Sequence, residues 1–278
     1  MYDFYLGGKD EIMADEEGYL LSIKRMLPRW INSIPDSEFV AIHRLLSKYC
    51  EKKDIVLCET GVGASTIVLL YHAMKHDGVL FSWDIANPKG SELRRVLTDT
   101  LSLFYEKSLW NYWKFIAYDS LSPYLGIPIL KEFDKRVDFV FCDSEHTWKT
   151  LKNELLLFSE VLIPGAIVSI DDANLSKKDY NSSYINIIRK KIGLTPIRAV
   201  LDNECRFFGI ESQDLLNQLF SNVQHLKTSY NDEYKDDIYF SYYAKDRKQA
   251  DKMGMENINE LQNRFMAWKV GDKMLQKI

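Results

Sequence analysis

Six acidic residues stand where they could share chemistry: Glu59, Asp84, Asp119, Asp143 and the adjacent pair Asp171 and Asp172. Each closes a short apolar run, so each is expected at the carboxyl end of a buried strand. In the stretch DIVLCETGVGAS at 54–65, Glu59 is followed by Gly61 and Gly63. There a chain without Cβ atoms could bring backbone N–H groups and a helix N-terminus close to a ligand. Asp84 comes 21 residues after Gly63, the usual distance for a carboxylate that holds ribose hydroxyls. Thr66 occupies the position where a dinucleotide fingerprint has its third glycine, and no Gly-Lys-Ser/Thr follows to cradle phosphates. Glu59 would sit poorly beside a pyrophosphate and well beside a cation. An adenosine ligand with a positively charged, amino-acid-bearing end fits both acids, and S-adenosylmethionine is such a ligand. A glycine turn that merely joins a strand to a helix is the alternative this stretch alone leaves open.

The remaining acids suggest a second group. Asp143 ends one strand and Asp171 with Asp172 the next, and these strands should be neighbours. Three converging carboxylates without a cation would repel one another and be costly to desolvate. Hard oxygen ligands of this kind suit Mg²⁺ (or Mn²⁺), which keeps several waters and leaves positions open for a substrate oxygen.

The elements that must position these residues alternate. Strands are expected at 55–58, 79–83, 113–118, 137–142 and 166–170, followed by helices at 64–76, 91–106, a short one before 135, 147–160 and 181–192. Near-continuous apolar strands in five β-α units mean an α/β fold with a doubly wound, mostly parallel sheet. Stretches 196–201 and 205–210 read as a closing pair of strands. Ahead of the core, residues 1–14 look weakly structured. Helices are expected at 16–26 and 37–50, with Asp36 as N-cap of the second. The chain divides into an N-terminal helical cap (1–50), a ligand-binding core (51–211) and a C-terminal extension (212–278). The extension is Tyr-rich, with a strand expected at 237–244 and a helix at about 255–270 carrying Ile258, Leu261, Phe265 and Trp268 on one stripe. It would cover the substrate or form an oligomer contact, and the leading helices could form a homodimer contact. His43, His72, His76 and His225 read as ordinary core or surface residues.

With 36 basic and 40 acidic residues the formal net charge is −4. No long Lys/Arg block offsets the acidic total, which argues against nucleic acid as a partner. The four cysteines lack C-x-x-C spacing and are expected as reduced thiols in a cytoplasmic protein. No run approaches 18 apolar residues and no signal segment precedes the first helix, so no membrane association is expected.

Over roughly 50–212 the chain resembles class I S-adenosylmethionine-dependent methyltransferases, and among them the metal-dependent O-methyltransferases related to catechol O-methyltransferase and to the antibiotic-sugar methyltransferases. The residues carrying this are E-x-G-x-G-x-S at 59–65, Asp84, Asp119-Ser120, VDFVFCDSEH at 137–146 and LIPGAIVSIDD at 162–172. The resemblance implies a seven-stranded Rossmann-like methyltransferase fold. In it Glu59, Gly61, Gly63 and Ser65 hold the methionine portion, Asp84 the ribose, and Asp119 with Ser120 the adenine edge. Asp143, Asp171 and Asp172 would bind the metal, with Asp143 also beside the cofactor. Many relatives have Asp-Asn where this chain has Asp171-Asp172, and some have Lys in place of His146. The implied reaction is methyl transfer to a hydroxyl of a small molecule, a sugar or sugar-nucleotide favoured over a catechol. The hydroxyl must lose its proton, and the candidate bases are His146 and Glu145. Three alternatives stay open: a metal-independent methyltransferase, a non-catalytic S-adenosylmethionine-binding subunit, and an NAD-dependent oxidoreductase, the last disfavoured by Thr66 and Glu59.

Overall fold

The computed structural model describes residues 9–28, 30–32, 34–145, 147–171, 173, 184–194, 208–228 and 265–274. Apolar, β-branched runs give the parallel strands β1 (Val56–Thr60), β2 (Val79–Trp83), β3 (Trp113–Ile116), β4 (Val137–Cys142) and β5 (Leu162–Ile170). With β6 (Gln224–Leu226) and β7 (Met266–Lys269) they form one seven-stranded sheet in the order β3-β2-β1-β4-β5-β7-β6. The last two strands are antiparallel additions, β7 pairing with β5 and β6 with β7. The order reverses at β1, which pairs in parallel with both β2 and β4. Such a switch point opens a crevice at the carboxyl edge of the strands.

Helices cover both faces. In chain order they are α1 (Lys9–Ala14), α2 (Glu16–Met26), α3 (Asp36–Tyr49), α4 (Ala64–Lys75), α5 (Asn87–Leu97), α6 (Leu103–Tyr105), α7 (Leu109–Tyr112), α8 (Ile129–Glu132), α9 (Trp148–Phe158), α10 (Tyr184–Lys191) and α11 (Gly209–Leu219). A π-helical turn, Thr98–Ser102, joins α5 to α6. Strand alternation sorts the core into two clusters. Leu57 and Phe139 face α4 and the N-terminal helices, while Val56, Cys58 and Val140 face α9 and α11. Each fully buried Leu, Ile, Val or Phe in these layers contributes about 1.5–3 kcal/mol.

Several sequence expectations need correction. Lys9–Ala14 is helical, within a segment expected to be weakly structured. Asp36 is the first residue of α3 and its N-cap is Pro35. The Asp36 carboxylate is buried and takes Lys24 Nζ at 2.6 Å and Arg25 at 2.6 and 2.9 Å, which pins α2 to α3. The stretch expected as a strand at 205–210 opens a helix at Gly209. Phe265 and Trp268 do not share a helical stripe, since Met266–Lys269 is strand β7. Both faces of β7 are covered: Phe265 and Ala267 lie in one core cluster, Met266, Trp268 and Val270 in the other. A strand buried on both sides has no polar alternation to reveal it. The expected strands at 196–201 and 237–244 lie outside the described residues.

The glycine turn after β1 is squeezed between its neighbours. Gly61 has φ +87° and donates its N–H to Trp83 O at 2.7 Å. On its other side, Asp143 N donates to Thr60 O at 2.8 Å. A Cβ on Gly61 would lie 2.0 Å from Asp143 O. Gly165 shares the left-handed conformation, φ +88°, but a Cβ there meets nothing closer than Lys269 Cε at 3.7 Å.

His43 and His72 meet inside the α3–α4 interface, with His43 Nδ1 3.1 Å from His72 Nε2, and His76 stacks on His72 at 6.0 Å. Burial lowers the pKa of all three. For His43, Glu16 and Glu17 pull the other way, and Lys75 and Arg44 add to the lowering.

Two expected outcomes follow from this packing. Gly165→Ala should cost about 1–2 kcal/mol, from its backbone conformation alone. Gly61→Ala should cost clearly more, because a main-chain carbonyl cannot move aside cheaply. Urea unfolding of the two variants compares them, and equal costs would refute the close approach. The histidine pair protonates in the unfolded chain near pH 6.5 and in the folded chain only below that. Its stabilising contribution is therefore complete above about pH 6.5 and is lost as the pH falls below it. In NMR titrations the His43 and His72 ring resonances should move only below pH 6.5; a midpoint at or above that value for either ring would contradict the interface described.

Candidate functional site: a cavity at the strand ends

At the carboxyl edge of β1, β2, β3 and β4 the chain surrounds a cavity of about 920 Å³. Of the residues singled out in the sequence, Gly61, Asp84, Asp119, Ser120, Asp143 and Glu145 line it. Thr147, Trp148, Lys149, Thr150 and Asn153, from the start of α9, form the opposite wall. Ile85 and Tyr118 stand exposed on the rim. The Trp148 ring packs 5.8 Å from Phe208.

Asp84 shapes the cavity as well as lining it. Its Oδ2 accepts the N–H of Val62 at 3.0 Å, and its Oδ1 that of Ala86 at 2.6 Å. The acid after β2 thus holds the glycine turn after β1. Lys89 Nζ lies 3.6 Å from the same carboxylate. Asp119 turns its loop by accepting the Leu121 N–H at 2.8 Å. Glu145 accepts the Thr150 hydroxyl at 2.7 Å, and Thr147 caps α9 by accepting from Thr150 N.

Glu59 and Ser65 are not on the cavity wall. Glu59 is fully buried and accepts hydroxyls from Ser65 (3.0 Å), Thr66 (2.7 Å) and Ser82 (2.7 Å). Burial pushes its carboxyl up to about 7, Asp84 adds to the rise, and the three hydroxyls oppose it. Glu59 organises the turn from behind, where direct contact with a ligand's amino-acid end had been expected. Gly63 has extended backbone at φ −177°, and its N–H goes to Thr66 Oγ1 at 3.1 Å. Thr66, the departure from a dinucleotide fingerprint, is thereby accounted for: its hydroxyl links the turn to Glu59.

Asp143 and Asp171 line one small crevice of about 20 Å³, together with Glu145 and Glu154. Asp171 N bonds Cys142 O at 3.0 Å, which keeps the ends of β4 and β5 in step. Asp172 and His146 lie outside the described residues, and among the described residues no group of three acidic, His or Cys side chains is placed to hold a metal ion. The pair Asp143 and Asp171 is compatible with a hard divalent cation in ligand type. Cys50, Cys58 and Cys142 are buried thiols, and burial raises the pKa of each. Among the described residues, no helix is long and apolar enough to cross a membrane.

Sequence reasoning missed Ser82, Thr60 and Glu154, which hold the site together from behind. Their signal was available: Ser82 interrupts an apolar strand, and Glu154 falls on the stripe Leu151, Leu155, Phe158 of a helix face that is otherwise buried and apolar.

Residues 58–173 match the family model of a methyltransferase domain. No curated protein matches the chain. Among solved structures, a protein assigned as a caffeoyl-CoA O-methyltransferase from Staphylococcus aureus superposes with a TM-score of 0.50 at 12% identity, covering 92% of this chain and 99% of that one. The O-methyltransferase from Bacillus cereus, solved in complex with S-adenosylhomocysteine, gives 0.44 at 12% identity, over 81% and 86%. TrmN from Thermus thermophilus gives 0.34 at 14% identity, over 48% of this chain and only 37% of its own length. Residues 58–173, the segment that matches the methyltransferase-domain model, hold strands β1 to β5 and the glycine turn at the switch point of the seven-stranded sheet.

Proposed function

We propose that the protein transfers a methyl group from S-adenosylmethionine to a hydroxyl of a small molecule, with Mg²⁺ or Mn²⁺ assisting. A sugar or sugar-nucleotide is the favoured acceptor. The observation that carries this reading is the cavity in which Asp84, Asp119 and Asp143 converge beside the glycine turn. Its volume exceeds the few hundred cubic ångströms at which ligand pockets begin, so an acceptor has room beside the donor. Four carboxylates line it against two lysines, Lys89 and Lys149, a balance that suits a sulfonium.

In this reading Asp84 receives the ribose hydroxyls, Asp119 and Ser120 face the adenine edge, and the turn at Gly61 and Gly63 faces the methionine portion. When bound, the cofactor supplies an electrophilic methyl whose bond to sulfur breaks as the bond to the acceptor oxygen forms. The chain's part is to orient that oxygen in line and to take its proton. Asp143 and Asp171, with Asp172 next in sequence, would hold the cation and thereby lower the acceptor's pKa. Glu145 lines both the cavity and the crevice, and His146 follows it directly, so either could accept the proton. The protein would act as a cytoplasmic enzyme, with a homodimer contact through the N-terminal cap or the C-terminal extension.

EDTA should abolish turnover, with Mg²⁺ or Mn²⁺ restoring it, and Asp143→Asn should lower kcat/KM at least a hundredfold. Full activity of Asp143→Asn in chelator would favour the metal-independent alternative. For proton removal, His146→Ala should lower kcat at least tenfold, leave S-adenosylmethionine affinity nearly intact, and remove the acid limb of the pH–rate profile between about pH 6 and 7.5. Loss of that limb in Glu145→Gln instead would assign the base to Glu145.

A further inference from the structure

Beneath the cavity, on the face of the sheet opposite Glu59, lies a second caged carboxylate. Glu154 sits midway along α9 with no solvent exposure. Its Oε1 accepts the Ser120 hydroxyl at 2.6 Å and its Oε2 the Thr60 hydroxyl at 3.1 Å. These two donors come from different places, the end of β1 and the loop after β3, and Ser144, in the loop after β4, is near enough to help hold the carboxyl's pKa down. Ser120 and Ser144 line the cavity, and Thr60 immediately precedes Gly61. Burial pushes the Glu154 carboxyl up to about 7, Asp119 adds to the rise, and the hydroxyls of Ser120, Ser144 and Thr60 hold it down.

We infer that Glu154 is a positioning residue for the nucleoside half of the cavity, its carboxylate fixing Ser120 in the wall and Thr60 behind the glycine turn. This rests on the S-adenosylmethionine reading above and adds to it a residue that touches no ligand. The geometry requires a single acceptor. The end of β1 and the loop after β3 belong to strands separated by β2 in the sheet, and one side chain on α9 reaches both. An apolar side chain at 154 would fill the volume but leave two hydroxyls without their acceptor, free to turn elsewhere. A glutamine could keep the arrangement, since its carbonyl accepts one hydroxyl and the other can rotate to accept from its amide.

The test uses the full chain. Calorimetric titration with S-adenosylhomocysteine is run on wild type, Glu154→Leu, Glu154→Gln and Thr60→Val. Hydrogen exchange without ligand is followed over 119–127 and 143–147. Glu154→Leu should weaken binding at least tenfold and speed exchange in both segments, while Glu154→Gln stays within threefold of wild type and exchanges normally. Thr60→Val keeps its shape, lies outside the cavity wall and removes one of the two hydroxyls that Glu154 accepts; it should weaken binding at least threefold, and it decides the matter if the leucine variant does not fold. Wild-type affinity in a folded Glu154→Leu or Thr60→Val protein, or unchanged exchange in both segments, would overturn the inference. Absence of binding by the wild-type protein would instead overturn the cofactor reading, and the exchange comparison would still decide on Glu154.

Discussion

A carboxylate taken wholly out of water must find donors, and the cage around Glu59 is the constraint on which the rest of this site depends. Its three hydroxyls come from the first turn of α4 and from the middle of β2. Ser82 in turn accepts the Trp113 indole N–H at 2.8 Å, which brings β3 into the same network. One side chain at the end of β1 therefore ties together three strands and the helix that follows. The position of Gly61 is a result: with α4 anchored behind and the β4 end in front, only a residue without Cβ fits between them.

The two caged acids divide the work across the sheet. Glu59 bonds toward α4, and Glu154 reaches from α9. Between them they leave the cavity wall to other acids, Asp84, Asp119 and Asp143. Asp84 spends a lone pair on each of two backbone N–H groups, yet a carboxylate has about four acceptor sites, so capacity for a ligand remains. Hydroxyls buried behind the wall supply rigidity, and carboxylates at its surface supply charge.

Much of this was legible in the sequence, for physical reasons that can be named. The inner parallel strands β1, β2 and β4 are buried on both faces, so they read as near-continuous apolar runs, and the acids that end the strands fall on one edge because all five strands point the same way. The glycine turn shows itself because Gly61 is sterically obligatory. What sequence could not reveal was the direction in which an acid faces. Glu59 and Asp84 look alike at the ends of adjacent strands, yet one turns inward to hydroxyls seven and 23 residues away and the other lines the cavity. Strand β7 was misread for a related reason: with apolar residues on both faces, Phe265 and Trp268 fit a helical spacing as well as a strand.

The antiparallel end of the sheet imposes an order on its own assembly. Strand β6 precedes β7 in the chain and, among the described residues, touches the sheet only through it. Until Met266–Lys269 docks on β5, residues 224–226 have no partner among the described strands, and that side of β5, with Ile167, Val168 and Ile170 in it, lacks the strand that covers it. That pairing spans about a hundred residues of sequence, a separation that makes closure slow compared with the local β-α units. An apolar edge left uncovered for that interval is a template for pairing with another chain. Self-association of this protein during synthesis or refolding is therefore governed at a place remote from its chemistry, by how soon a four-residue strand finds its slot.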